Sequence, residues 1–186
     1  MPVLIALLRG VNIGGHHKIK MDVLRCLCES LGFQNVQTHL QSGNVIFRAC
    51  ERNLAKVSER IQSAIEHEVA FRPDVLLRSI PELRDVVARN PFAKRPGLEP
   101  SKLAVTFFAE APSREARENV LKLKADPEDM RVDGREMYTY FPNGMARPTI
   151  SWSVIERLLR VPLTSRNWNT VTKLLELGES LESAGR

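Results

Sequence analysis

The chain has 186 residues, of which 43% are hydrophobic and 26% are charged. This composition excludes an intrinsically disordered protein and is typical of one or two globular domains with a buried core. The net charge of +5 slightly favours an acidic partner, such as nucleic acid, an anionic small molecule or an anionic surface, without identifying it. No segment approaches the roughly 20 apolar residues of a membrane span, so we expect no membrane partner.

The three cysteines argue against both a disulfide framework and a metal site. Cys26 and Cys28 lie two positions apart on a predicted helix, where their side chains diverge, and Cys50 is a third cysteine without a partner in the sequence pattern.

The first apolar run, over residues 3–8, is too short for the core of a signal peptide and follows no basic region. We therefore expect a cytoplasmic protein with no metal and no cofactor.

The first half reads as six elements in the order β-α-β-β-α-β. A buried strand over residues 3–8 leads into a Gly-rich loop, and a helix with apolar residues at helical spacing then ends before Gly32. Ser42-Gly43 marks the turn of a β-hairpin. The remaining predicted elements are strands over residues 36–40, 44–47 and 75–77 and a helix over residues 54–68.

The second half largely repeats this order after a linker. Ser79 and Glu82 form a capping box for a helix that ends near Arg89, and the Pro-rich stretch over residues 92–100 follows it. A second capping box is predicted at Ser153 and Glu156. The other predicted elements are a strand over residues 103–108, a helix over 113–123, a hairpin of 130–132 with 136–141, and a last helix over 167–177.

These elements predict an α+β fold of two ferredoxin-like (βαββαβ) plait halves, the second followed by C-terminal helices. The predicted division places the first half at residues 1–79, a helix and linker at 80–100, and the second half with the C-terminal helix at 101–186. An open sheet face could stack bases, and Tyr138 and Tyr140 share one face of the second hairpin. Packing against the sheet is the favoured interpretation for both tyrosines.

The loop after the first strand is the first candidate site. Arg9, Asn12, Lys18 and Lys20 accompany its glycines, and such a loop before a helix can present N–H groups to an anion. It matches neither the Walker pattern nor the dinucleotide fingerprint, and a purely structural loop is an equal alternative. His16-His17 is interpreted as a solvated pair rather than a metal site.

The hairpin turn supplies a second set of polar residues, namely Gln41, Ser42 and Asn44. In a plait the first and third strands are neighbours, so the turn would project these side chains beside the first loop. The alternative is that they only hydrogen-bond their own backbone. Ser42 lacks a local base, which disfavours covalent catalysis.

The third set is Arg166, Asn167 and Trp168 near the start of the last helix. Asn167 or Ser165 can cap this helix and Trp168 can anchor it by burial. Arg166 would then offer a fork of donors at the positive helix end, where phosphate or carboxylate binds well.

The chain resembles a widespread bacterial family, domain-of-unknown-function family 1697. The resemblance rests on the segments at residues 6–15, 20–21, 41–45, 90–92 and 164–171, in this order. It implies a cytosolic α+β protein with plait-like halves and no established activity. It also implies that the residues matching the family's motifs form one candidate site, namely Arg9, Asn12, Gln41, Ser42, Asn44, Arg166, Asn167 and Trp168.

Two functions from different classes follow, and the sequence does not decide whether the protein is an enzyme. The first is a binding module for nucleic acid or a nucleotide-like anion, with the basic residues on phosphate and the amides on polar edges. The second is an enzyme acting on a small phosphorylated or carboxylated metabolite, which would need His39, Glu136 or Glu156 as a general base. A module that dimerises through its sheet face is a third possibility, and the oligomeric state stays open.

Overall fold

A computed structural model describes residues 1–14 and 16–184 of the chain. Within these residues lie eight β-strands and six α-helices. In chain order they are β1 (Val3–Leu8), α1 (Met21–Ser30), β2 (Gln34–His39), β3 (Asn44–Arg48), α2 (Leu54–Val69), β4 (Val75–Ser79), α3 (Ile80–Ala88), β5 (Leu103–Phe108), α4 (Arg114–Leu121), β6 (Asp129–Asp133), β7 (Glu136–Tyr140), α5 (Trp152–Leu159), β8 (Leu163–Asn167) and α6 (Trp168–Ser183). None of the helices in the described part of the chain is long and apolar enough to cross a membrane.

The strands form two four-stranded antiparallel sheets, in the orders β2-β3-β1-β4 and β6-β7-β5-β8. In the first sheet Ile5 of β1 lies opposite Ile46 of β3 and Arg78 of β4. In the second, Val105 of β5 lies opposite Tyr138 of β7 and Arg166 of β8. The predicted α+β class is therefore confirmed.

The chain divides into two compact units, which are described separately. The first comprises Met1–Arg84 together with the chain from Lys173 onward, and the second comprises Asp85–Thr172. The stretch predicted as a linker belongs to the second unit, where Phe92 is buried and the Arg95 guanidinium lies 4.3 Å from the centre of the Tyr140 ring. The predicted domain boundaries after residues 79 and 100 stay a prediction.

In the first unit both faces of β1 are buried. Leu4, Ala6 and Leu8 share one face and pack in a core with apolar residues of α1 and α2, because side chains alternate along a strand. On the other face lies Ile5, close to the part of α6 that contains Gly178. A Cβ on Gly178 would overlap the Ile80 side chain, which is fully buried, so a larger residue here would force that side chain to shift.

In the second unit the sheet is also covered on both faces. Ala104 and Phe108 pack in a core with residues of α4 and α5. On the opposite face the Tyr138 hydroxyl donates to the Val86 carbonyl at 2.8 Å, and Tyr138 and Tyr140 are 0% and 6% exposed. A stacking platform made of these tyrosines is therefore wrong, since neither ring is open to a base.

Three predicted features of the second half need correction. Strand β8 was not predicted, because Thr164-Ser165-Arg166 carries polar residues that favour a helix cap as readily as a strand. Helix α5 begins after Ser151, so the predicted capping box of Ser153 and Glu156 is wrong. Helix α6 continues through Gly178 to Ser183, six residues beyond the predicted helix end at residue 177.

Candidate functional site

The loop over residues 9–20 leaves the end of β1 and is anchored where it starts. The Arg9 backbone N–H donates to the Asp74 carbonyl at 2.9 Å, and the Arg9 guanidinium pairs with the Asp74 carboxylate at 3.0 Å. The two side chains are 39% and 41% exposed, so the pair is largely solvated. Arg9 therefore directs the loop and is not simply a donor aimed at a ligand.

Asn12 ties this loop to the turn between β2 and β3. Its side-chain N–H₂ group donates to the Ile19 carbonyl at 3.0 Å and to the Gln41 carbonyl at 2.8 Å, while its side-chain oxygen accepts from the Ile19 N–H. Its backbone has a φ of 56°, which asparagine tolerates better than most residues. Asn12 is thus a clamp, and both of its side-chain N–H bonds are already used.

The hairpin turn is held by Asn44 and Gly43. Asn44 is fully buried, and its amide donates to the His39 carbonyl at 2.8 Å and to the Ser42 hydroxyl at 3.0 Å. Gly43 has a φ of 72°, and a Cβ there would lie 2.8 Å from the Leu8 Cβ. Asn44, Ser42 and Gly43 therefore shape the turn, whereas the Gln41 side chain is exposed.

The predicted solvated pair of histidines is only partly confirmed. Both rings are exposed, but the His17 ring stacks on Phe71, with 3.6 Å between the ring centres and 9° between the planes. His17 also accepts a backbone hydrogen bond from the Asn12 N–H at 3.1 Å. The stacked ring fixes the middle of the loop against the segment between α2 and β4.

A surface groove lies where the loop and the hairpin turn meet. It has a volume of about 480 Å³ and is lined by Asn12, Lys18, Ile19, Lys20 and Gln41. Both lysines are exposed, and neither forms an ion pair with a residue that the structure describes. The sequence over residues 9–20 and 34–48 contains no aspartate or glutamate, so the lysine charges meet no acidic group from either segment. The groove therefore suits an anion.

The surroundings of α1 temper this charge. Helix α1 begins directly after Lys20, which makes no side-chain cap, so its first-turn N–H groups add to the positive potential. Asp22 lies in the same first turn and opposes that effect. The basic character of the groove thus rests mainly on Lys18 and Lys20.

The third predicted set lies in the second unit. Arg166 is in β8 and only 7% exposed, and its guanidinium donates to the Thr164 hydroxyl and the Ser165 carbonyl, each at 2.8 Å. Burial lowers the pKa of Arg166 to about 10, so the group is still charged at neutral pH. Arg166 therefore lies in a strand, directly before the cap of α6, and donates to neighbouring atoms of that strand.

Asn167 and Trp168 follow at the junction of β8 and α6. The Asn167 side chain accepts from the Asn169 N–H at 2.9 Å and donates to the Ser101 carbonyl at 2.8 Å, which confirms the predicted cap. Trp168 is half-buried. The predicted membership of these three residues in one site with the first-unit residues stays a prediction.

None of the three residues considered as a general base lines the groove. His39 lies in β2 on the face opposite Val36, and its pKa is lowered, first by burial and then by the charge of Lys173. Glu136 is buried in β7, 3.8 Å from the Arg89 guanidinium, and Glu156 lies in α5. The structure thus adds no specific support to the enzymatic alternative.

Four residues of this region were not expected from the sequence to take part: Ile13, Leu40, Phe71 and Asp74. Asp74 could have been found, because β1 and β4 pair and the residue before β4 must lie beside the residue after β1. Leu40 lies in the turn, not in the predicted strand over residues 36–40, and is 56% exposed. Ile13, in the loop, is 67% exposed.

The second unit has a groove of its own between α4 and α5. It has a volume of about 370 Å³, and its lining includes Ser113, Asn119, Arg157 and Arg160. Glu115 also lines it and offsets part of the arginine charge. None of the ten residues predicted for the site lies in this groove.

Comparison with known proteins identifies the family but no activity. The chain resembles the conserved bacterial protein SP0830 from Streptococcus pneumoniae, with a TM-score of 0.72 at 21% sequence identity over 96% of this chain and 99% of that one. At this identity the likeness shows the fold alone. No curated protein matches the sequence. The family model described as "Protein of unknown function (DUF1697)" matches residues 1–138, and the chain therefore belongs to the DUF1697 family.

Proposed function

We propose that the protein is a binding module for a nucleotide-like anion, which it holds in the groove of the first unit. The observation that carries the proposal is the position of Lys18 and Lys20, two exposed lysines without ion-pair partners among the described residues, beside a groove of about 480 Å³. Lysine ammonium groups bind phosphate as point charges. A groove of this size accommodates a small phosphorylated ligand.

The rigid frame of the groove supports the same function. The Asn12 clamp joins the loop to the hairpin turn, and the stacking of His17 on Phe71 fixes the loop from the other side. A loop held at several points loses little conformational freedom when a ligand binds. The lysines can therefore act from a prearranged backbone.

The structure favours a small anion in the groove over a nucleic acid stacked on a sheet face. Base stacking on a plait requires exposed aromatic side chains on the sheet face, and Phe47, Tyr138 and Tyr140 are all buried. Nucleic acid remains a proposal that depends on the loop surface alone, and its affinity would increase with the length of the strand.

Isothermal titration with pyrophosphate and with single-stranded RNA of increasing length tests this function. Lys18→Ala combined with Lys20→Ala should lower the pyrophosphate affinity about tenfold, because two charge-assisted contacts are lost. The matched control is Lys122→Ala with Lys124→Ala, two exposed lysines at the same spacing in the second unit. Equal loss in both double variants, or no binding by the unmodified chain, would refute the groove as the site.

Two finer features of the fold and location belong to this proposal. We propose that each half is a ferredoxin-like plait. The repeated β-α-β-β-α-β order supports this, as do the strand orders β2-β3-β1-β4 and β6-β7-β5-β8.

A cytoplasmic location is supported by three cysteines that are all unpaired thiols. Burial raises the pKa of the Cys28 thiol to about 12, so this residue serves packing and not reactivity.

A further inference from the structure

The first unit exposes two large apolar side chains, each next in the chain to a residue that lines the groove. Ile13 and Leu40 are 67% and 56% exposed, the highest fractions among the large apolar residues that the structure describes. Ile13 follows Asn12 and Leu40 precedes Gln41, and these two neighbours are joined by a hydrogen bond of 2.8 Å. The two apolar residues are therefore the chain neighbours of Asn12 and Gln41, which line the groove, although they do not line it themselves.

Neither residue is explained by packing or by local conformation. Leu40 has a φ of 59°, in the left-handed region, where glycine or asparagine is preferred and a bulky side chain is uncommon. Ile13 lies in a loop in which its carbonyl accepts the His16 N–H at 3.0 Å, a role that requires no particular side chain. Single exposed apolar residues are common on protein surfaces, so what indicates a ligand contact is their position next to the charged groove.

We propose that the ligand of the groove joins an apolar ring to its phosphate, as nucleoside phosphates do, and that the ring packs on Leu40 and Ile13. This inference rests on the proposed function of the groove. The lysines would neutralise the phosphate, while an inorganic anion would leave both apolar side chains in water. Charge complementarity supports such an occupant, because residues 9–20 and 34–48 supply lysines and no carboxylate.

The surface thus has two parts with different chemistry. Lys18 and Lys20 confer affinity for any phosphate, and Leu40 with Ile13 distinguishes a nucleoside phosphate from phosphate alone. The exposed amide of Gln41, which lines the groove beside Leu40, can donate to or accept from the polar edge of the ring. Ring recognition and phosphate recognition can therefore be separated by mutation.

The experiment uses the full chain with adenosine 5′-monophosphate and pyrophosphate as probes, measured by titration calorimetry and saturation-transfer NMR. The test variant combines Ile13→Ser with Leu40→Asn, since asparagine suits the left-handed backbone and should preserve folding. Leu121→Ser is the control, because Leu121 is an exposed leucine in the second unit. Its circular-dichroism melting curve, and that of the test variant, should match the unmodified chain.

We expect the test variant to bind adenosine monophosphate about fivefold more weakly and pyrophosphate with unchanged affinity. Saturation of methyl protons should reach the adenine ring protons in the unmodified chain and much less in the variant. Unchanged affinity for both probes would overturn the ring contact and leave the phosphate site intact. If neither probe binds, the proposed function fails and this inference fails with it.

Two other outcomes would also overturn the inference by identifying another occupant of the apolar pair. One is binding to vesicles of phosphatidylglycerol and phosphatidylcholine that the test variant loses while its adenosine monophosphate affinity is unchanged. The other is a concentration-dependent dimer, seen by analytical ultracentrifugation, that disappears in the test variant but not in Leu121→Ser.

Discussion

The two units share a hydrogen-bonded frame and differ in the loop that follows the first strand. In the first unit the Leu8 N–H donates to the Gly43 carbonyl at 2.9 Å, and in the second the Phe108 N–H donates to the Arg135 carbonyl at 2.8 Å. The next residue of each unit again donates, Arg9 to Asp74 and Ala109 to Pro162, both at 2.9 Å. After this shared point the first unit carries a loop over residues 9–20, whereas residues 109–113 suffice in the second.

The comparison separates structural residues from candidate functional ones. Arg166 has a counterpart in Arg78, because each lies in the fourth strand of its sheet, is buried, and donates to the carbonyl of the preceding residue. This repetition leads us to interpret the two arginines as part of the shared frame. Lys18, Lys20, Ile13 and Leu40 belong to segments that the second unit shortens, so they are better candidates for function.

The largest expected effect concerns the α6 segment that covers the first sheet. Gly178→Val should lower the free energy of unfolding by about 3 kcal/mol, because the new side chain would overlap Ile80. Ser180→Val, at an exposed position of the same helix, is the control for adding a β-branched residue. Chemical denaturation measures the difference.

Hydrogen exchange on Gly178→Val sharpens the comparison of the units. The amides of β1 and β3 should lose more protection than those of β5 and β7, because Gly178 lies near Ile5 of β1. Equal loss of protection in both sheets would contradict a role confined to the first unit.

The second prediction compares two contributions of Asn12 to stability, its side-chain hydrogen bonds and its left-handed backbone conformation. Asn12→Ala removes three hydrogen bonds and should cost about 2 kcal/mol of unfolding free energy. Asn35→Ala is the matched control, since Asn35 has a similar φ of 52° but is exposed on the edge strand β2. If both variants lose the same stability, the clamp contributes only through its left-handed backbone.

A smaller effect is expected for the Arg9–Asp74 ion pair, because the equivalent residues of the second unit, Ala109 and Pro162, carry no charge. Arg9→Met should reduce the free energy of unfolding by about 0.5 kcal/mol, because both side chains are more than one-third exposed and the pair is screened. The loss should shrink in high salt. A cost of several kcal/mol, measured by denaturation with urea, would show that Arg9 does more than orient the loop.

The smallest effect is a pH dependence confined to the first unit, which holds all four histidines of the sequence: His16, His17, His39 and His67. Burial, and then the charge of Lys173, lowers the pKa of His39 in the folded state. A lowered pKa favours neutral His39 in the folded chain, so its stabilising contribution is complete above the unfolded pKa of about 6.5 and declines as pH falls through it. The thermal midpoint should therefore fall between about pH 7.5 and about pH 5.5 by less in His39→Gln than in the unmodified chain. Identical profiles would contradict this.

Much of the frame could be predicted because local signals and burial agree there. The continuous apolar run of β1, the Ser-Gly turn and the capping box of Ser79 with Glu82 each have a local cause, and the structure has all three. Strand β8 could not be predicted in the same way, since its Thr-Ser-Arg-Asn sequence becomes a strand only by pairing with β5. The end of α6 was predicted too early because Gly178 does not end the helix. It packs closely against Ile80, a residue far away in the sequence.

The candidate site could be predicted only in outline. Because the first and third strands are neighbours, the loop was expected beside the turn. The sequence does not show that the side-chain amides of Asn12 and Asn44 donate to backbone carbonyls. Loop residues such as Leu40 and Ile13 follow no periodic pattern, so their exposure required the folded chain. Whether a residue such as Asn12 holds the loop or contacts a ligand depends on its tertiary hydrogen bonds, and the spacing of residues in the sequence does not reveal these.

Amide chemical-shift mapping with adenosine 5′-monophosphate tests the central claim most directly, because it reports on both units in one titration. The groove proposal predicts saturable shifts confined to residues 9–20 and 40–44, with little change at the second-unit groove lined by Ser113, Asn119, Arg157 and Arg160. Shifts centred on that second groove, or none at millimolar ligand, would contradict the claim that the loop of the first unit is the binding site.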